Sequence, residues 1–463
     1  MSKTLSIRLF FAAAVLVLTL SYTTNFLRLG QPYNPQKWQA EVFETYQAEG
    51  ESDVVKTMEK LQRDGLWSTG GFQLWQNKDV YVSNSGLMMK FAMVGTWLCG
   101  GDLAKFKVAG QFTCALLMAL ALVLFFHLMY REFGLTAAVC GLVLTACSNW
   151  LTFVARNIYW MYFLTFLPIV VSFLLVRRMV ETGRPSLRAV LVVVGAAVCL
   201  RALNGYEYIT NVLLSVAVAP LYYGILHRQP WQKVVRWGFL FGVAAALGFL
   251  AAFAWNILQA SMFYGSFAKG VAPIWGKLLA RSFGPPTPGD NDFHDSAPPW
   301  VSVFLILHQY LTLPVLSLPF LSDAGRTVYR AYLTLGASIV ASVALALGSL
   351  ATLLPERTLD PKNIERKLMA LSVATLWALA SGLSWTLLAK GHAFHHLHMN
   401  GISFYIPFLL MLYALTGAVL GQLVRRGRAL LASAFAPGPI PAPAPAAGEG
   451  PANGSQRKSK KNK

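Results

Sequence analysis

The sequence predicts an all-α, polytopic integral membrane protein with about ten transmembrane helices. Of its 463 residues, 55% are hydrophobic and only 13% are charged, and the mean hydropathy is +0.49. Soluble proteins carry about 25% charged residues. Apolar runs long enough to cross a bilayer recur along the chain, and Lys and Arg collect in alternate loops. These observations exclude an ordinary soluble enzyme.

The apolar runs define the predicted elements in chain order. The first run, from about Leu9 to Phe26, follows Lys3 and Arg8 and lacks a small-residue cleavage site, which favours an uncleaved span over a signal peptide. Further runs of roughly 17 to 25 residues match the length that a helix needs to cross the hydrocarbon. They begin near Val108, Leu135, Tyr159, Leu187, Tyr206, Trp237, Val328, Leu368 and Gly401.

The distribution of basic residues predicts the orientation. With a cytoplasmic N-terminus, the clusters at 177–188, 228–236 and 357–367 fall on the cytoplasmic side, as the positive-inside rule expects. The C-terminus is then cytoplasmic too. This agreement requires that the apolar stretch Trp300 to Phe320, which contains two prolines, does not cross, so we interpret it as re-entrant or interfacial.

This orientation divides the chain into two parts. Residues 1–432 form the transmembrane domain, with a first outer loop at 28–106 and a second large outer loop at 264–327. Residues 433–463 form a linker rich in Pro and Ala that ends in a basic cytoplasmic tail, a composition typical of disorder.

The net charge of +19 does not indicate a nucleic-acid partner, because so apolar a chain buries its surface in lipid. Much of the surplus lies in the cytoplasmic loops and the tail and reports topology. The five Cys show no paired spacing in an outer loop and are interpreted as packing residues.

The first outer loop holds nine of the 20 acidic residues. Glu41 and Glu44 lie three residues apart on one helical face among aromatic side chains, as in an amphipathic helix that holds a carboxylate at the membrane surface. Asp79 opens the segment D-V-Y-V-S-N-S-G-L. For any single acid in this loop, a solvated surface position is the competing interpretation. The apolar piece that ends at Cys99 is too short to span and is expected to dip into the interface.

Two short outer loops carry polar groups where apolar runs end. The first, R-N-I-Y-W, contains Arg156 and Asn157, and the second contains Arg201, Asn204, Tyr206 and Glu207 in R-A-L-N-G-Y-E-Y. Ionisable groups at such positions are costly unless they pair, bind a ligand or face water. A salt bridge between Arg201 and Glu207 is the structural alternative to a binding role, and Arg156 has the alternative of snorkelling outward.

The last outer connection holds four of the eight His. Its polar residues are Lys390, His392, His395, His396, His398 and Asn400. The spacing permits a metal site, but no H-E-x-x-H is present, so we predict no zinc centre and favour a cluster of donors around a phosphate or sugar. The loop at 284–295, with three Asp and one His, offers a divalent cation a place, although a turn-rich solvated loop explains it equally well.

An acidic outer loop opposite basic and His-bearing helix ends suits sugar transfer from a polyprenyl-phosphate carrier. A carboxylate would deprotonate the acceptor hydroxyl, and cations would stabilise the departing phosphate. The chain has no nucleotide-binding P-loop, in keeping with a lipid-linked donor. The predicted partners are this donor, a glycan, lipid or protein acceptor, and membrane lipids.

The layout resembles the GT-C class of bacterial membrane glycosyltransferases that use lipid-phosphate sugars. The resemblance lies in the number of spans, the acidic loop after the first span with E-V-F-E-T-Y, and the segments Y-V-S-N-S-G-L, R-N-I-Y-W, R-A-L-N-G-Y-E-Y and K-G-H-A-F-H-H-L-H-M-N. It implies a bacterial inner-membrane enzyme with an acidic catalytic base in the first outer loop.

In that class the base often belongs to an adjacent acidic pair, whereas Glu41 and Glu44 are separated by two residues. The base therefore stays open among Glu44, Glu41 and Asp79, with Glu44 preferred for its aromatic neighbours. Two other functions remain: an O-antigen-type polymerase or ligase that depends on outer Arg and His, and a flippase or transporter, which would have broken helices and ionisable groups near the midplane.

Overall fold

The computed structural model describes residues 3–26, 37–65, 67–75, 79–82, 85–282, 299–312, 314–319, 330–351, 364–395 and 397–434. Within these ranges the all-α class is confirmed, and eight helices are long and apolar enough to cross a membrane. The chain is therefore a multi-pass membrane protein.

The helices and strands follow in chain order. They are α1 Lys3–Thr24, α2 Lys37–Asp64, β1 Gln73–Trp75, β2 Asp79–Tyr81, α3 Leu87–Leu98, α4 Leu103–Phe133, α5 Leu135–Ala146, α6 Asn149–Val154, α7 Phe163–Thr182, α8 Leu187–Asn204, α9 Ile209–Ser215, α10 Val218–Leu226, α11 Trp231–Tyr264, α12 Phe267–Ser282, α13 Pro299–Thr312, β3 Pro314–Pro319, β4 Arg330–Thr334, α14 Leu335–Ala351, α15 Ile364–Leu388, α16 Lys390–His395, a 3-10 segment Leu397–Tyr405, and α17 Phe408–Ala434.

The eight candidate spans lie on α1, α4, α7, α8, the pair α9–α10, α11, α15 and α17. Two of the predicted spans, near Leu135 and near Val328, are occupied by shorter helices instead. In the first, α5 ends at Ala146, and Ser148 caps α6 by accepting a hydrogen bond from the Leu151 amide at 3.1 Å. In the second, β4 takes up Arg330–Thr334, so α14 has only 17 residues.

Residues Met1–Gly421 form one compact unit, whose two ends we name after α1. At the Lys3 end, the Phe11 ring contacts the Tyr130 ring of α4 at 5.6 Å. At the Thr24 end, Arg156 donates a hydrogen bond to the Thr23 carbonyl oxygen at 3.0 Å. Because α4 finishes at the Lys3 end and Arg156 lies at the Thr24 end, α5 and α6 together carry the chain from one end to the other.

The same reasoning places α14. The α11 helix finishes at the Thr24 end, where Gln259 and Asn256 bind first-loop carbonyls, and Leu311 of α13 approaches Gly336 at the start of α14. The α15 helix starts at the Lys3 end, where Lys367 contacts Glu132 at 3.1 Å. The segment from α14 to α15 therefore returns the chain to the Lys3 end, and α14 is about 25 Å long at 1.5 Å per residue.

Small residues set the closest helix packing. An ideal Cβ on Gly248 of α11 would lie 2.1 Å from the Gly195 carbonyl oxygen of α8, so the two backbones meet without side chains between them. The five Cys are free, with Cys114 and Cys147 buried, which agrees with a packing role.

The described residues of the predicted first outer loop, between α1 and α4, pack at the Thr24 end. In α2, Val54, Met58 and Leu61 form a buried stripe, and the antiparallel β1–β2 pair follows. The α3 helix has only 12 residues, with Trp97 and Leu98 exposed, as expected for a piece too short to span. The stretch Trp300 to Phe320 is interrupted, because α13 ends at Thr312 and β3 begins at Pro314.

Candidate functional site

The polar segments predicted from the sequence meet at the Thr24 end. A chain of aromatic rings joins R-N-I-Y-W to R-A-L-N-G-Y-E-Y and then to the end of α15. Neighbouring centroids lie 5.9, 5.5, 6.3, 4.9 and 5.2 Å apart along Tyr159, Trp160, Tyr162, Tyr208, Trp385 and His392. Segments separated by more than 200 residues thus form one site.

Backbone strain marks one residue of this chain of rings and one residue between two of its members. Met161 and Tyr208 have φ angles of 44° and 56°, a left-handed conformation that side chains with a Cβ rarely adopt. Both residues lie in short connections between helices. Strained residues of this kind persist where the surrounding structure holds them, and they are common at functional sites.

Arg201 is buried and shapes the connection between α8 and α9. Its guanidinium donates to the Gly205 carbonyl oxygen at 3.0 Å and to the Glu207 backbone carbonyl oxygen at 2.7 Å. It forms no salt bridge with the Glu207 carboxylate within 4.0 Å. Arg201 therefore holds the α8–α9 connection through its backbone oxygens. The alternative interpretation, a salt bridge between Arg201 and Glu207, is not formed.

Glu207 is the acidic group at the centre of the site. Its side chain is 8% exposed, and within the described part of the chain it has no hydrogen bond or ion pair. Its carboxylate lies so close to Gly205 that an ideal Cβ there would be 2.2 Å from Oε2. Its charge acts on the buried Arg201 guanidinium and on the Tyr162 and Tyr208 phenols, so the acid lies beside one cation and two hydroxyl groups.

Two buried polar atoms nearby also lack partners among the described residues: Arg201 Nε and Asn204 Oδ1. The Asn204 amide donates to the Trp160 carbonyl oxygen at 2.7 Å, and Asn157 Oδ1 accepts from the Trp160 amide at 3.0 Å. Asn157 and Asn204 thus hold one aromatic residue from both sides.

The phenols of Tyr162 and Tyr208 lie beside Arg201 and Glu207. Burial raises the pKa of both phenols, so they remain protonated hydrogen-bond donors at neutral pH. Arg156 is half-buried, and its hydrogen bond to the Thr23 carbonyl oxygen ties it to the end of α1. The Arg156 side chain therefore binds the backbone of α1 and does not simply extend toward the lipid headgroups.

Glu51 of α2 attaches the first outer loop to this site. Its Oε2 accepts from Gln111 Nε2 at 2.8 Å, its Oε1 accepts from the Ile158 amide at 3.3 Å, and Lys107 Nζ lies 4.0 Å away. Glu51 is not among the acids that the sequence predicts as site residues. The signal was present, because Glu51 precedes Val54 and Met58 by three and seven residues and so shares their buried face.

The preferred base candidates lie partly outside the described residues. Glu41 and Glu44 belong to α2, but their side chains are not described. Asp79 begins β2 opposite Trp75, and its side chain is likewise outside the described set. Their assignment stays a prediction.

The last connection is described in part. Lys390 is half-buried and His392 is 6% exposed against the Trp385 ring. His395 belongs to α16, and His398 and Asn400 lie in the 3-10 segment, all three without described side chains; His396 and the loop at 284–295 are outside the described residues. In the part of the chain that the structure describes, no three His, Cys, Asp or Glu side chains form a metal-binding group.

An apolar cavity of about 210 Å³ opens beside the ring chain. Tyr206, Phe249, Phe253 and Trp385 supply aromatic walls, and Lys277 of α12 supplies a cation. Trp385 belongs to both the cavity and the ring chain, so the apolar and polar parts of the site share a wall.

The fold defines the class of protein: a multi-pass, helical membrane protein. Comparison with protein-family models, with curated proteins and with solved structures finds no match.

Proposed function

We propose that the protein is a membrane-embedded glycosyltransferase that moves a sugar from a polyprenyl-phosphate carrier to an acceptor at the Thr24 end. One observation carries the proposal: the buried Glu207 lies between Tyr206, which lines the apolar cavity, and Tyr208, whose ring leads through Trp385 to His392. General-base chemistry and phosphate stabilisation need these groups close together beside a place for a lipid chain.

In this proposal, the role of each side chain follows from the contacts that it already makes. Glu207 joins Glu44, Glu41 and Asp79 as a candidate base, because its carboxylate is not used by a described neighbour. Arg201 positions Glu207 through the loop carbonyls. Lys390, His392 and the other residues of that connection hold the donor phosphate, with a divalent cation as a further candidate partner for it.

We further propose ten membrane crossings, with the α5–α6 pair and α14 completing the eight long spans. The Lys3 end would then be cytoplasmic and the Thr24 end extracytoplasmic, in a bacterial inner membrane. The basic residues at the Lys3 end, such as Arg131, Arg177 and Lys367, support this orientation.

The structure favours this function over the alternatives. A polymerase or ligase would use Arg156 and Arg201 to bind its substrate, whereas in this structure each of them donates hydrogen bonds to backbone carbonyl oxygens. A transporter would have ionisable groups near the middle of its spans. In α4, Glu132 and Arg131 lie in the last turn instead, and Lys105 and Lys107 lie within the first five residues.

Deletion of the gene, followed by mass analysis of lipid-linked sugars and surface glycans, tests the proposal. We expect one polyprenyl-phosphate sugar to accumulate and one glycan modification to disappear. An unchanged lipid-linked sugar profile would overturn the proposed function.

Complementation of that strain separates the base candidates. We compare the Glu41→Gln/Glu44→Gln double variant with Glu207→Gln and use Glu181→Gln, at the opposite end, as the matched control. Loss of transfer in one acidic variant, with normal expression, assigns the base. Full activity of the double variant removes Glu41 and Glu44 from the reaction.

A further inference from the structure

The cavity beside Trp385 is apolar and can hold part of a hydrocarbon chain. It is larger than the apolar cavities of about 150 Å³ that hold benzene, so it has room for a few carbon units. Its walls come from α9, α11, α12 and the end of α15, with Ile209, Leu213 and Leu278 among the aliphatic residues.

The surroundings of the cavity are apolar and exposed. Trp255 and Leu258 on α11 and Leu387 and Leu388 on α15 have more than half of their surface exposed. In a membrane-spanning protein, such side chains contact lipid tails. A chain that enters the cavity can therefore have its remaining length in the bilayer.

The cation at the cavity comes from an amphipathic helix. On α12, Ile274 is buried against Phe72 and Val82 of the first outer loop, whereas Phe267, Trp275 and Leu279 are exposed, at intervals of eight and four residues. This places an apolar stripe outward at the Thr24 end, as in helices that lie in the membrane interface. Phosphate groups of lipids lie at that depth.

Lys277 has an alternative partner that a phosphate can replace. Its Nζ lies 4.4 Å from the centre of the Tyr81 ring, in a cation–π contact that ties α12 to β2. Such contacts are weaker than a charge-assisted hydrogen bond to an anion.

We propose that this cavity binds the isoprenoid chain of a polyprenyl monophosphate, and that Lys277 leaves the Tyr81 ring to bind its phosphate. The proposal rests on the proposed function and adds a lipid site and a residue for it. Four aromatic walls suit a methyl-branched, unsaturated single chain, and Lys277 joins Lys390 and His392 as a group that binds its phosphate. Lipid binding then also loosens the contact between α12 and the first outer loop.

Binding of polyprenyl monophosphate to the full-length protein in nanodiscs tests the proposal, with native mass spectrometry as the readout. Leu213→Trp fills the cavity and Lys277→Gln removes the cation; each is expected to weaken binding at least tenfold. Lys269→Gln is the matched control, because Lys269 is exposed on the same helix and does not line the cavity. Unchanged affinity in both cavity variants overturns the site.

The source of the phosphate is tested in parallel. Phosphatidylglycerol and inorganic phosphate are expected to bind at least tenfold more weakly than polyprenyl monophosphate. Equal binding of phosphatidylglycerol would show a general anionic-lipid site, and equal binding of inorganic phosphate would show that the chain contributes nothing; either result overturns the proposal.

A separate experiment tests whether Lys277 leaves the Tyr81 ring to bind the phosphate. Tyr81→Leu removes the ring and is expected to strengthen binding about two- to fivefold, whereas Tyr81→Phe keeps the ring and leaves binding unchanged. No gain in the Leu variant, with wild-type thermal stability, overturns the exchange.

The two proposals fail differently. Sugar accumulation in the deletion strain without polyprenyl-phosphate binding leaves the transferase and removes this site. Binding without accumulation leaves a lipid site and removes the transferase.

Discussion

Gly205 lies between Arg201, which holds the loop, and Glu207, which the loop presents to the site. Its φ angle of 167° is an extended conformation that any residue adopts, so its importance comes from space. The side chain missing at Gly205 leaves room for the Glu207 carboxylate. The position of the acid thus depends on a residue that has no chemistry of its own.

Gly205→Ala is expected to lower sugar transfer about 10- to 100-fold, because the new Cβ displaces the Glu207 carboxylate by an ångström or more. The loop backbone suits Ala, so thermal stability should stay at the wild-type value. Transfer rates and unfolding temperatures of the purified variant check this. Gly238→Ala is the control, since nothing lies within 4 Å of its Cβ position. Wild-type turnover in Gly205→Ala would separate Glu207 from catalysis.

Among the helices, the close contact of α8 with α11 connects two parts of the site: the loop that carries Glu207 and the apolar cavity. The α8 helix ends at Asn204, just before Gly205, and α11 carries Phe249 and Phe253 of the cavity. In a bilayer, close backbone approach replaces the hydrophobic effect as a source of helix association. Packing at Gly195 and Gly248 therefore sets the distance between the acid-bearing loop and the cavity.

Gly248→Ala should destabilise the protein by about 1–3 kcal/mol, because the Cβ meets the Gly195 carbonyl oxygen, a backbone atom that cannot rotate away. Thermal unfolding in detergent measures the effect. Gly242→Ala in the same helix has open space at its Cβ and should be neutral or slightly stabilising. Equal stability of the two variants would contradict the packing argument.

At the scale of the whole molecule, the two ends of the Met1–Gly421 unit have different polar chemistry. At the Lys3 end, buried Glu132 of α4 contacts Arg177 of α7 at 3.5 Å and Lys367 of α15 at 3.1 Å. This network joins three helices far apart in the sequence. At the Thr24 end, the buried Arg201 is held by backbone carbonyl oxygens and forms no ion pair within 4.0 Å among the described residues.

Glu132→Gln should lower stability by about 3 kcal/mol, because Glu132 is buried and its loss leaves the half-buried Arg177 and Lys367 without their shared carboxylate. Glu181→Gln is the matched control: it also removes a carboxylate from Arg177, at 2.8 Å, but Glu181 is 42% exposed, so about 0–1 kcal/mol is expected. Thermal unfolding of both variants provides the comparison. Similar losses would show that burial does not decide the strength of this network.

The orientation is testable with a membrane-impermeant maleimide in whole cells, in a Cys99→Ser background. Lys105→Cys, at the Thr24 end, should be labelled directly, whereas Arg188→Cys, at the start of α8, should require permeabilisation. Both native side chains are exposed, so accessibility depends on the side of the membrane. The reverse pattern would invert the proposed topology.

Composition and charge alone predict the membrane class and the all-α fold, because both follow from the local sequence. It overestimated the length of the helices near Leu135 and Val328, because hydropathy does not register the Ser148 cap or the β3–β4 pairing. Hydropathy also does not indicate which acid is the catalytic base.

The folded structure shows which polar side chains already have hydrogen-bond partners. Glu51 is bound by Gln111 and the Ile158 amide, Arg201 is bound to backbone oxygens, and Glu207 is left without a described partner. These differences arise from contacts between residues as many as 107 positions apart, as for Glu51 and Ile158. A sequence pattern encodes which side chains are present, whereas packing decides which of them remain available for chemistry.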